Sequence, residues 1–190
     1  MEASIPQTNA PYQYLREVLE RSSQENARRL AQDVIDSTAP EKEKAPFRSY
    51  LQRLALMGQP ISIHLTTLDG KKVDTAKLKS QVVLVVVGGP YAVPLAALAD
   101  SYEKFHARGF EIIEIFAGDK SGARMMKKMT QVFKIPWPLW CVGDAASKDL
   151  ARQYGLIEGS FILLDKQGVL RATSASDALE QEIAKLLAEP

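Results

Sequence analysis

The run Val82-Val83-Leu84-Val85-Val86-Val87, inside the stretch Gln81 to Pro94, limits what this chain can become more than any other segment. β-Branched residues without polar alternation suit a strand covered on both faces, the central strand of a layered sheet. Gly88-Gly89-Pro90-Tyr91 follows at once, and Pro94 fits the first turn of a helix, where no amide bond is lost. Strand, glycine-proline corner and helix together predict an open α/β sheet. The carboxyl end of a central strand is where such sheets place their chemistry. No global field assists that corner. With 24 basic and 23 acidic side chains the net charge is +1, so neither nucleic acid nor an anionic membrane is recruited at long range.

Met1 to Ala10 is polar, with neither a basic start nor an apolar signal core, and no apolar run approaches the ~20 residues of a membrane span. A soluble chain with no membrane insertion is expected. Tyr14, Leu15, Val18 and Leu19, then Leu30, Val34 and Ile35, recur at helical spacing and predict two helices or one interrupted helix. Glu41-Lys42-Glu43-Lys44 reads as a solvated helix turn, and a further helix carries Phe47, Tyr50, Leu51, Leu54 and Leu56. It stops near Gly58-Gln59-Pro60, which sets a boundary between a helical segment, 1–57, and a second domain, 58–190.

From Ile61 the period becomes two, with Ile61, Ile63 and Leu65 on one face and Ser62, His64 and Thr66 on the other. Asp69-Gly70 supplies the turn and Val73 begins the return strand. His64, on the polar face and without a visible partner, reads as a surface histidine. Asp74 can cap a short helical turn from Thr75 to Leu78. After the corner, Leu95, Leu98, Ala99, Tyr102 and Phe105 stripe a helix ending at Gly109, Phe110 to Phe116 forms the next strand, and a helix runs from about Ser121 to Phe133. In that helix Met125, Met126 and Met129 read as packing residues, with a methionine-rich docking face as the alternative, while Lys120, Arg124, Lys127 and Lys128 make a solubilising basic face. Ile135 to Cys141 is extended, since each proline biases its predecessor away from helix. A helix from Asp144 to Gly155, a hairpin over Ser160 to Ala172 turning at Asp165-Lys166-Gln167-Gly168, and a last helix from about Ser176 complete the order.

That order, and the local text Thr67-Leu68-Asp69-Gly70-Lys71-Lys72-Val73, Gly109-Phe110-Glu111-Ile112-Ile113, Ile135-Pro136-Trp137-Pro138, Tyr154-Gly155-Leu156 and Leu163-Leu164-Asp165-Lys166-Gln167-Gly168, resembles the thiol-disulfide oxidoreductases of the AhpC-TSA group, including bacterial cytochrome-maturation proteins. The resemblance runs from Gly58 to Leu187 and implies a thioredoxin-like α/β fold: three layers, a central mixed sheet, and here an N-terminal helical extension. In that group the central strand ends in Trp-Cys-Gly-Pro-Cys, where an acidified thiolate attacks a disulfide and a second thiol releases the intermediate. The chain has one cysteine, Cys141, and from Val85 to Tyr102 it is about four residues short of the group's pattern, the size of the motif itself. If that gap is put before the motif instead, Gly88-Gly89-Pro90-Tyr91 occupies its place, and neither alignment leaves a sulfur there. The group's second hallmark, a cis-proline facing the cysteines, falls nearest Gly159 in the loop Ile157-Glu158-Gly159-Ser160.

Three functions compete. In the first, the domain is redox-inactive and binds a protein partner or serves structurally, with Tyr91, Trp137 and Glu158 around the corner as the surface, or those residues simply packed. In the second, Cys141 acts as the lone nucleophile of an oxidoreductase or peroxidase-like antioxidant enzyme, against the simpler reading of a packed thiol. In the third, Gly88-Gly89 binds an anion, although no glycine-rich nucleotide fingerprint is present and Pro90 removes a donor. No cofactor, metal or nucleic acid is expected. The resemblance implies an extracytoplasmic location if the sequence is trimmed, and a cytoplasmic one otherwise.

Overall fold

A computed structural model describes residues 10–78, 80–88, 95–173 and 179–189. Three helices come first: α1 (Ala10–Arg21), α2 (Gln24–Asp36) and α3 (Glu41–Ala55). The break between α1 and α2 is chemical, because the Ser23 hydroxyl accepts the Asn26 amide hydrogen and starts a new helix. The helices close on a cluster of Leu19, Ala27, Ala31, Val34, Phe47, Tyr50 and Leu54. Ala27 and Ala31 are small enough to let α2 approach α3 closely, and Arg28 donates to the Leu54 carbonyl at the end of α3 (3.2 Å).

β1 (His64–Thr66) and β2 (Lys72–Asp74) form an antiparallel pair, shorter than the alternation predicts. Ile61 and Ile63 are buried as expected but precede the strand, where the Ile61 amide donates to the Gly168 carbonyl (2.8 Å). His64 is not partnerless: its register places it opposite Asp74, whose carboxylate lies 3.2 Å from Nδ1, while Ser62 Oγ stands 3.1 Å from Nε2. Asp74 also accepts the Ala76 amide hydrogen and fixes the turn Thr75–Leu78.

β3 (Val82–Val87) is buried at every residue and lies at the centre of a five-stranded mixed sheet. Parallel to it is β4 (Phe110–Ala117), reached through α4 (Leu95–Phe105), and parallel to β4 is β5 (Leu139–Val142), reached through α5 (Lys120–Val132). On its other side, after α6 (Asp144–Tyr154), runs antiparallel β6 (Phe161–Leu164), then β7 (Leu170–Ala172) and α7 (Leu179–Ala188). The order across the sheet is β5-β4-β3-β6-β7.

The unalternating sequence of β3 now has its cause. Val83, Val85 and Val87 face a core with Ile61, Ile63, Ile113, Ile115, Leu150 and Leu156, while Val82, Leu84 and Val86 face another with Leu98, Phe105, Ile112, Ile183 and Leu186. Two apolar layers on one strand require apolar side chains at both parities. The helical segment meets this body where α3 packs on α6, and Gly58, the first residue of the second domain, is tied to β7 through its amide, which donates to the Leu170 carbonyl (2.9 Å).

Candidate functional site

The candidate site is the carboxyl end of β3 and the loop that faces it, residues 155–160. Gly89, Pro90 and Tyr91, expected at this corner, lie outside the described residues. Gly88 is described, and its amide donates to the Ile115 carbonyl (2.9 Å). An anion cradle over Gly88-Gly89 therefore lacks the Gly88 donor. The sheet does bring Gly159 to the corner: its amide donates to the Val87 carbonyl (2.8 Å), and the Val87 amide donates to the Ser160 carbonyl (2.8 Å). Gly159 has φ +81°, a left-handed conformation that glycine adopts at little cost, and no cis peptide occurs among the described residues. Glu158 beside it is exposed.

The loop is held from behind by the helical segment. Arg53 of α3 is buried, and its guanidinium donates to the Gly155 carbonyl (2.7 Å) and to Ser160 Oγ (2.8 Å), with its carbon 5.4 Å from the Tyr50 ring centre. Ser160 Oγ in turn accepts the Ile157 amide hydrogen (3.2 Å). Arg16 of α1 approaches from the same side, with a guanidinium nitrogen 3.7 Å from where a Cβ on Gly159 would stand. Arg16, Arg53 and Ser160 were missed from sequence. Arg53 had a signal, since it follows Tyr50 by three residues and precedes Leu54 on the face that α3 buries.

Trp137, expected on the rim, is not there. It is 4% exposed, packs beside Tyr102 with ring centres 5.6 Å apart, and its indole N–H donates to Glu114 Oε2 (3.2 Å). An indole is mostly apolar but needs one acceptor, and the buried carboxyl of Glu114 on β4 supplies it. Burial pushes the Glu114 carboxyl above its ordinary range, only partly offset by that hydrogen bond. Trp137 is thus a core residue and offers no surface to a partner.

Cys141 lies on β5, the strand beyond β4, away from the β3 corner. It is 4% exposed, its carbonyl accepts the Leu68 amide hydrogen (2.8 Å), and burial pushes its thiol pKa up. It lines a groove of about 510 Å³ between the β1–β2 turn and α5, with Asp69, Lys120, Arg124, Lys127 and Trp140. At the groove's mouth the Thr67 hydroxyl and then Lys127 (3.1 Å) hold Asp69 down to about 2. No grouping of three or more metal-binding side chains occurs among the described residues.

Comparison with known proteins agrees on the fold. Solved structures similar to this chain include a thioredoxin domain of a thiol-disulfide oxidoreductase from Bacteroides vulgatus, at TM-score 0.58 and 22% identity, covering 69% of this chain and 97% of that one. A thiol:disulfide interchange protein from Bacteroides sp. matches at TM-score 0.58 and 21% identity, over 70% of this chain and 91% of that one. A thioredoxin-like protein from Bacteroides vulgatus matches at TM-score 0.52 and 28% identity, over 67% and 86%. Among curated proteins, chloroplastic peroxiredoxin Q of Suaeda salsa is 30% identical over 133 residues, 65% of this chain. The chain spans 61% of that relative's length. No family model matches. The fold is thioredoxin-like, and the chain resembles the thiol-disulfide oxidoreductases and the AhpC-TSA group.

Proposed function

We propose that this is a redox-inactive thioredoxin-like domain that serves as a binding or structural module, its helical segment 1–57 docked on the domain 58–190. One observation carries the reading: the only thiol of the chain, Cys141, is buried on β5 rather than placed at the end of β3. Disulfide exchange needs an exposed thiolate with a lowered pKa and a second thiol to resolve the mixed disulfide. Cys141 has burial working against the thiolate and no second thiol. The backbone at the corner is also engaged internally: the Val87 carbonyl, the Gly159 amide and the Gly88 amide each bond within the chain. A protein partner would then be met by side chains such as Glu158 rather than by free backbone at these positions.

The alternative enzyme would use Cys141 itself, and one feature favours it: the thiol borders a groove rimmed by Lys127, whose charge opposes the effect of burial. An insulin-reduction assay separates the two. The wild type and Cys141→Ser are both expected to give the uncatalysed rate, and Cys141 is expected to react with a thiol reagent only as fast as the chain unfolds. Turnover by the wild type that disappears in Cys141→Ser would overturn the redox-inactive reading.

A further inference from the structure

Of the large apolar side chains exposed among the described residues, Met125, Val132 and Phe133 (55%, 75% and 51% exposed) stand on or just after α5. With half-buried Met129 they recur at i, i+4, i+7 and i+8, which puts them along one helical face. α5 buries a different face, through Ala123 and Met126. Methionines expected to pack therefore divide: Met126 is in the core and Met125 is out in solvent. Beside the exposed stripe lie Lys120, Arg124, Lys127, Lys128 and Lys134, all exposed, and no acidic residue occurs between Asp119 and Asp144. Among the described residues only Lys127 of these cations is in an ion pair, with Asp69. A chain whose charges otherwise nearly cancel thus concentrates cations beside protruding apolar tips.

We propose that α5 and Phe133 form a peripheral docking face for an anionic lipid bilayer. A basic amphipathic helix lies in the plane of an interface, its apolar tips entering the acyl boundary and its cations meeting anionic headgroups. Val132 and Phe133 stand exposed at the end of α5, and a bilayer receives such apolar side chains without a matching pocket. No described helix is long and apolar enough to cross a membrane. The contact is therefore peripheral and reversible.

Cosedimentation of the full chain with vesicles of phosphatidylcholine, alone or mixed with phosphatidylserine, tests this. Binding is expected to the mixed vesicles only and to weaken as salt is raised. The double substitution Arg124→Gln/Lys128→Gln should weaken it about 25-fold, roughly fivefold for each cation removed. Val132→Ser/Phe133→Ser should abolish it with little change in the thermal melt, since Val132 is three-quarters exposed and Phe133 half exposed. The proposal is overturned if the wild type does not bind mixed vesicles, if it binds phosphatidylcholine alone equally well, or if either variant binds like the wild type. Retention by polyglutamate without binding to vesicles would also overturn it, in favour of an acidic polypeptide.

Discussion

Truncating Arg53 tests whether the helical segment is a structural part of the corner or merely lies beside it. Its guanidinium makes hydrogen bonds of 2.7 and 2.8 Å to the Gly155 carbonyl and Ser160 Oγ, both in buried surroundings. Bonds from a charged donor contribute about 1.5–3 kcal/mol each, and an acceptor left buried without a partner loses its hydration as well. Against this stands relief from desolvating a guanidinium, so Arg53→Ala should cost about 3 kcal/mol net. For a chain of this length that corresponds to a melting temperature lower by roughly 6–12 °C. Arg53→Met separates packing from hydrogen bonding. It fills most of the space beside Tyr50 but satisfies neither acceptor, so it should fall between Ala and wild type.

Differential scanning calorimetry gives the first measurement and amide hydrogen exchange the second. The Gly159 and Val87 amides, which bond across the corner, should exchange faster in Arg53→Ala by more than the Gly118 amide, which bonds to Val142 at the far side of the sheet. If Arg53→Met melts with the wild type, the charge contributes nothing that an apolar residue cannot. If exchange at Gly159 is unchanged, α3 does not hold the loop. Either result refutes the argument that the helical segment shapes this site.

Two further substitutions probe the same body. Gly155 ends α6 at φ +64°, and a Cβ there would stand 2.3 Å from the Ser49 carbonyl oxygen. Gly155→Ala should therefore cost at least about 2 kcal/mol in urea unfolding, the left-handed penalty plus a backbone clash, and a loss under about 0.5 kcal/mol would contradict the docking of α3 on α6. Burial raises the Glu114 carboxyl above 4.5, so its favourable contribution is full below pH 4.5 and is lost as pH rises through the folded-state value. Glu114→Gln keeps an acceptor for the Trp137 indole and removes this dependence. The urea midpoints of the two proteins should diverge in favour of Gln as pH rises from 4 to 7, and a pH-independent difference would exclude a carboxyl with a raised pKa.

The frame was legible because it depends on patterns that few alternatives satisfy. An unbroken apolar run such as Val82 to Val87 can only be a doubly covered strand or a short piece of buried helix, and the flanking glycines and β-branching favour the strand. The inward face of α7, Leu179, Ile183, Leu186 and Leu187, followed from period alone, as did Leu98, Tyr102 and Phe105 of α4, whereas Ala99, expected on the same stripe, is exposed. Side-chain destinations were less legible. Pro136-Trp137-Pro138 gave the correct extended backbone from Leu139 but no sign that Trp137 turns inward, because the acceptor that admits it, Glu114, comes from another strand. Met125 and Met126 are adjacent in sequence and opposite in fate, which helical rotation allows and composition cannot reveal.

Arg53 and His64 share a different lesson. Each is polar, and each finds its partner on a distant part of the chain: His64, read from sequence as a surface histidine, across the β1–β2 turn on Asp74, and Arg53, not singled out from sequence, on residues 155 and 160. Hairpin register is countable from an Asp-Gly turn, so the first was recoverable. The second was not, because it requires knowing that α3 stacks on α6. The end of β3 is the case where this matters for function. Sequence marked it as a vacated redox corner, an argument from which side chains are missing. The structure adds which groups are engaged: the Val87 amide and carbonyl bond to residues 159 and 160, the Gly88 amide bonds to β4, and Arg53 braces the loop from α3. Backbone groups already paired inside the chain are poor acceptors and donors for a substrate peptide. At these described positions a partner would therefore read side chains rather than backbone, or displace the helical segment first.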